Sequence, residues 1–146
     1  MKTLKRTYRF RCYPTDEQKT YLAQIFGCVR LVYNEVLAHC MRNYEEQKTL
    51  KNAGQPYHFL TAKERDHYLT QFKNERETDP NAENYGQLKR PWIKDVTSVA
   101  LQQSINNLNT AYKRFFEHHA KHPVFKKKHL RRNSFGLVGK DSSILA

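Results

Sequence analysis

Apolar and polar residues alternate at the start of the chain. Leu4, Tyr8, Phe10 and Cys12 fall on one side of an extended segment, and Lys5, Thr7, Arg9 and Arg11 on the other. A period of two predicts a half-buried strand with a basic outer face. Pro14 ends it. Thr15-Asp16-Glu17-Gln18 then forms a capping-box pattern, with two acids placed at the positive end of a helix dipole. The pattern changes here to helical spacing: Leu22, Ile25, Phe26, Val29, Val32, Tyr33, Val36 and Cys40 share one stripe, which predicts a helix to about Tyr44. Gly27 lies inside it. A glycine there implies a bend, a break into two helices with a helix-turn-helix outline, or a close backbone approach.

A loop follows over 51–57, where Asn52, Gly54 and Pro56 cluster, and a shorter helix is expected from Thr61 to about Asn74, with Ala62, Tyr68, Leu69 and Phe72 as its apolar members. Residues 77–91 carry Asp79-Pro80, Asn81, Asn84 and Gly86 and read as a long connection with few structural demands, with Trp92 anchoring it to the helices. The clearest periodicity is Leu101, Ile105, Leu108, Tyr112, Phe115 and His119, a helix with one buried seam, capped by Thr97 or Ser98 and ended by Pro123.

These elements make one domain, since a chain of 146 residues can bury about 70% of the surface it exposes when unfolded. Charge adds a partner. Lys and Arg number 26 against 14 Asp and Glu, a formal net charge of +12, and the excess sits at the two ends: Lys2, Lys5, Arg6, Arg9 and Arg11, then Lys121, Lys126, Lys127, Lys128, Arg131 and Arg132. A polyanion is implied. Nucleic acid is favoured over a membrane surface, because neither basic segment belongs to a strongly amphipathic helix and no apolar run approaches the ~20 residues of a spanning helix. Three widely spaced cysteines, Cys12, Cys28 and Cys40, fit a reducing cytosol better than a disulfide framework or a zinc site.

Five blocks in order resemble the TnpB (OrfB) proteins of bacterial insertion sequences: Tyr8 through Tyr13-Pro14-Thr15 with Gln18; Phe26-Gly27-Cys28-Val29-Arg30-Leu31-Val32-Tyr33-Asn34; Pro91-Trp92; Ala100-Leu101-Gln102-Gln103 with Leu108, Ala111, Phe115 and Phe116; and Pro123, Phe125, Lys126 to Lys128, Ser134 and Phe135. The resemblance covers roughly residues 3–135. It implies a mainly α fold with a small β part: residues 1–14 and 123–138 as strands of an incomplete wedge-type domain, 15–122 as a helical recognition lobe inserted between them, and 139–146 as an irregular tail. It further implies a transposon-encoded, RNA-guided DNA endonuclease, in which such a segment binds guide RNA and reads a target-DNA motif. Catalysis in that family belongs to a RuvC-like domain with divalent metal, accompanied by a zinc ribbon. Neither the convergent carboxylates nor the Cys pairs are found in this sequence, so no catalytic residue, metal ligand or cofactor is assigned, and a separately encoded nuclease half is a conceivable partner. Cytoplasmic, nucleoid-associated placement follows from the same resemblance. A free-standing helix-turn-helix DNA-binding protein and a functionless relic are the alternatives.

The candidate phosphate contacts are Lys5, Arg9, Arg11, Lys126, Lys127, Lys128, Arg131 and Arg132; the bland reading is that basic edges block strand aggregation. Gln103, Asn107, Thr110 and Arg114 share a face of the last helix, beside Gln102, Asn106, Asn109 and Lys113. Their amides suit adenine edges or an ordinary solvated face. Arg30 and Asn34, four apart, are read in the same way. Tyr44, Tyr57 and Tyr85 are the base-stacking candidates, lying outside the regular stripes. His118 and His122 share a spacing that metal sites use, but without an accompanying Cys or carboxylate they read as cations at a helix end.

Overall fold

A computed structural model describes residues 3–129 and 133–138. Its first helix, α1, spans Asp16–Asn52, about 55 Å at 1.5 Å per residue. Thr15 and Gln18 form the expected reciprocal capping box. The helix passes through Gly27 without a break, and a Cβ built on Gly27 would meet nothing within 4 Å. It also runs beyond the expected end at Tyr44. The apolar stripe stops at Cys40, but Glu45, Glu46, Gln47, Lys48 and Leu50 are good helix formers with no breaker among them. Gly54, at φ 71°, supplies the stop. Its N–H bonds the Lys51 carbonyl and that of Gln55 bonds Leu50, a Schellman ending.

Helix α2 (Ala62–Asn74) has its own capping box between Thr61 and Glu64. Helix α3 (Ser98–Phe116) follows a short 3-10 helix at Pro91–Asp95. α3 packs chiefly along α1, and α2 closes over both. Ile25, Val32, Val36 and Leu37 of α1 meet Leu101, Ile105 and Leu108 of α3, all of them fully buried. Each such side chain contributes about 1.5–3 kcal/mol through removal from water. Within this seam Ser104 satisfies its hydroxyl by donating to the Val29 carbonyl at 3.1 Å, so the buried polar group costs little.

Four expectations are corrected. Residues 3–13 carry no regular secondary structure and pair with no strand: Leu4, Phe10 and Tyr13 are 82–85% exposed and Tyr8 70%. An alternating pattern supplies the shape of a strand, whereas its ladder requires a neighbour, and among the described residues the one bridge is an isolated pairing of Arg76 with Leu88. The described parts of 123–138 also form no strand; they lie against α1 and α3. The connection over 77–91 is held by more than its ends: across it the Glu77 carbonyl accepts the Gly86 N–H and the Glu77 N–H donates to the Gln87 carbonyl, and Glu75 grips Lys89 at 2.8 Å and Arg90 at 2.7 Å. Its anchor is Ile93, fully buried, while Trp92 stays 43% exposed. Finally, α3 ends at Phe116, so His119 is off the seam and exposed. His118 takes φ 61° and terminates the helix as Gly54 does α1, with the N–H of His119 bonded to the Arg114 carbonyl.

Candidate nucleic-acid interface

The arm over residues 3–13 presents its whole length. Lys5, Arg6, Arg9 and Arg11 are all exposed and none has an ion-pair partner among the described residues. Tyr8 and Phe10, two residues apart, bring their rings within 6.5 Å at an interplanar angle of 21°. Cations and flat aromatic faces therefore share one short, open segment.

Arg30 and Asn34 of α1 are used differently from the sequence expectation. The Asn34 amide donates to the Lys126 carbonyl at 2.9 Å and accepts the Lys126 N–H at 2.8 Å. This pairing satisfies both backbone groups of Lys126, as a neighbouring strand would. Arg30 reaches the Asn133 side chain at 3.1 Å, and one turn earlier Phe26 packs on Phe135 at 5.5 Å between ring centroids. Both residues thus bind the returning segment to α1. Lys126 is drawn over the Tyr33 ring, its ammonium 4.4 Å from the centroid, whereas Lys127 and Lys128 remain exposed. Arg131 and Arg132 lie outside the described residues.

The polar side of α3 is divided. Gln102 and Asn109 donate to Asp66 of α2, and Asn109 accepts from the buried Arg65 at 2.6 Å. These amides join helices. Gln103 is half-buried, its Cβ 3.2 Å from where a side chain on Gly136 would begin. Asn107 and Arg114 are exposed and open to a partner. Arg65 escaped the sequence reading because a single Arg on a polar helix reads as surface. Here it is 6% exposed, donates also to the Leu60 carbonyl at 2.8 Å, and lies 4.9 Å from the Tyr112 ring centre. Burial pushes the Tyr112 hydroxyl and the Cys40 thiol above their ordinary pKa values.

Of the stacking candidates, Tyr85 is 59% exposed in the connection and Tyr57 46% exposed beside Lys51. Tyr44 is half-buried in a cluster that the sequence did not reveal, stacked on Phe59 at 5.3 Å and touching Phe115, Phe116 and His122. Its members come from α1, the 53–61 loop, α3 and the segment after it, so no local spacing betrays them. His122 accepts or donates at Tyr112 Oη (3.2 Å) and bonds the Pro123 carbonyl (2.9 Å). With the helix ending at Phe116, the helical spacing of His118 and His122 brings no shared metal geometry. Among the described residues no three His, Cys, Asp or Glu side chains gather as a metal site, and no helix is long and apolar enough to cross a membrane.

Comparison with known proteins places this arrangement. The family model of a helix-turn-helix domain of the OrfB type matches residues 1–49, which here comprise the arm and an uninterrupted stretch of α1. A Streptomyces pristinaespiralis protein named "Putative RNA-guided DNA endonuclease" is 35% identical over 135 residues, 92% of this chain and 28% of that protein. The Escherichia coli (strain K12) protein "Putative RNA-guided DNA endonuclease InsQ" is 32% identical, over 88% of this chain and 26% of its own length. A Salmonella dublin protein named "Virulence protein VsdF" is 31% identical over 80% of this chain and 88% of its own length. The chain therefore spans about a quarter of the two endonuclease-named relatives and nearly all of the third. On these matches the chain belongs to the TnpB/OrfB family.

Proposed function

We propose that this chain is a nucleic-acid-binding module of a TnpB-like RNA-guided DNA endonuclease, serving guide-RNA binding and recognition of a target-DNA motif, and that it cuts nothing by itself. The observation that carries this reading is the open arm, in which Lys5, Arg6, Arg9 and Arg11 alternate with exposed Tyr8, Phe10 and Tyr13. Phosphate-neutralising cations beside stacking rings are what single-stranded nucleic acid requires. Lys127 and Lys128, with Asn107 and Arg114 on α3, extend the candidate surface. On this reading the arm and the 123–138 segment act as strands of a wedge-type domain completed by further polypeptide, with 15–122 as the recognition lobe. The divalent metal and the zinc of the family would belong to that further polypeptide, in the same chain or in a separate nuclease half. The working place is the bacterial cytoplasm, at the nucleoid.

The alternative is a duplex-DNA binder of the kind its matched family model is named for. The uninterrupted helix through Gly27 weighs against it, since a recognition helix set off by a turn is the basis of that mode. Gel-shift titration against RNA transcribed from the flanking region and against duplex DNA of equal length, at two salt concentrations, separates the two. Preferential RNA binding that weakens steeply with salt is expected. Tighter, sequence-selective duplex binding would overturn the proposal.

A further inference from the structure

Between the later turns of α1 and the end of α3 lies a cleft of about 240 Å³ lined by Met41, Tyr44, Glu45, Phe115 and His122. Its walls are rings that brace one another. Phe115 meets Tyr44 edge-on at 5.7 Å and 72°, and His122 at 5.0 Å and 78°. Tyr44 is further fixed by its stack on Phe59. The volume falls below the ~300–1,000 Å³ of pockets that hold drug-sized ligands, and it suits one small flat ring.

The polar fittings narrow the guest. Both ring nitrogens of His122 are already engaged, by Tyr112 and the Pro123 carbonyl. Glu45 is exposed at the rim, and its carboxylate has no partner among the described residues. A carboxylate oxygen accepts hydrogen bonds, so a guest that engages it offers N–H groups. A basic side chain of another protein would satisfy it, but charge opposes that guest. The chain carries +12, and the ammonium of Lys48 stands 5.9 Å from the Tyr44 ring centre. The same cation favours a ring that brings a phosphate with it.

We propose that this cleft receives one unpaired nucleobase bearing an exocyclic amino group, face-on to one of the two crossed ring walls, Tyr44 and Phe115, and edge-on to the other, with Glu45 accepting from the amino group. The inference rests on the nucleic-acid reading above and adds to it a site for base choice away from the basic arm. Stacking on aromatic rings tolerates every base, so selection falls to Glu45. Cytosine presents its N4 amino group to such an acceptor, whereas uracil presents O4 and would set oxygen against oxygen.

The test compares equal-length single-stranded oligo(C) and oligo(U) RNA by fluorescence anisotropy on the intact chain at pH 7.5 and at two salt concentrations. Wild type is expected to bind oligo(C) about fivefold more tightly or better. Glu45→Ala, an exposed position where folding is not at risk, should equalise the two. Tyr44→Leu, with folding checked by circular dichroism, should weaken both by a similar factor and keep the preference. Equal wild-type affinities that fall steeply with salt would overturn this site and leave the nucleic-acid reading standing. A preference for oligo(C) that survives in Glu45→Ala would overturn the assignment of Glu45. Failure to bind either RNA at low salt would overturn both proposals.

Discussion

Single residues decide how the helices are joined, and Arg65 is the clearest case. Its guanidinium is buried, with no carboxylate in an ion pair with it among the described residues, and is satisfied by the Asn109 side chain, the Leu60 carbonyl and the face of Tyr112. Replacing it with Met keeps most of the volume but leaves two acceptors without a donor. At about 1–3 kcal/mol for each orphaned group, Arg65→Met is expected to lower stability by roughly 2 kcal/mol or more in urea denaturation, and a change under 0.5 kcal/mol would refute this account. Glu64 makes a prediction of a different kind. The backbone N–H of Thr61, and then His58, hold its carboxyl at about 2 against an ordinary 4.5. Because the folded value is the lower one, the stabilisation is complete above about pH 4.5 and is lost as the pH falls towards 2. Glu64→Gln keeps a side chain able to cap and removes the titration, so the stability gap between wild type and variant should close across that window. Parallel curves would show that the carboxylate charge contributes nothing. The two roles differ in legibility: the Thr61-to-Glu64 spacing carries a capping-box pattern in the sequence, whereas the partners of Arg65 lie as far as 44 positions away.

At the level of elements, the sequence was read well where the determining contacts are local. The Thr15 capping box, the α1 stripe and the α3 seam depend on residues within one or two turns of each other, and they stand in the structure, the seam as far as Phe115. Ends and pairings were read less well. α1 outran its apolar stripe because propensity alone continues a polar helix. The arm lacked its ladder because a period of two says nothing about a partner. The Asn34 grip on Lys126 joins residues 92 positions apart, beyond any periodicity. Two glycine exchanges check the helical account. Gly27→Ala places a Cβ in empty space inside a continuous helix and should raise stability by about 0.5–1 kcal/mol; a loss would mean that the backbone bends or is approached there after all. His118→Gly should also stabilise, by about 0.5–1 kcal/mol, because a non-glycine residue at φ 61° pays for its Cβ at a helix stop that glycine makes without strain. Thermal unfolding of both variants, alone and combined, measures this, and additivity is expected from sites on different helices.

For the whole molecule the arrangement of charge matters more than its total. Some acids of the helical body are held in ion pairs, Glu75 with Lys89 and Arg90, Glu64 with His58, Asp16 with Lys19. The basic side chains Lys5, Arg6, Arg9 and Arg11 of the arm have no such partners among the described residues, so their field is available to a polyanion. A three-helix body in which acids and bases nearly balance, carrying one open basic strip, should bind through the strip, and its salt dependence should count the cations in contact. Each phosphate neutralised on a single strand contributes about −0.7 to the slope of log affinity against log salt. Replacing Lys5, Arg9 and Arg11 together by Gln should therefore make that slope shallower by about 2, with the melting temperature unchanged because these side chains are exposed and pack on nothing in the core. The control is the same triple exchange at Lys19, Lys63 and Lys94, equal in charge removed but set on helix surfaces away from both proposed binding sites. If both triple variants shift the slope alike, binding follows net charge and the arm is not the interface. If only the arm variant shifts it, the open basic strip is where the nucleic acid lies, and the helices behind it serve to hold it in place.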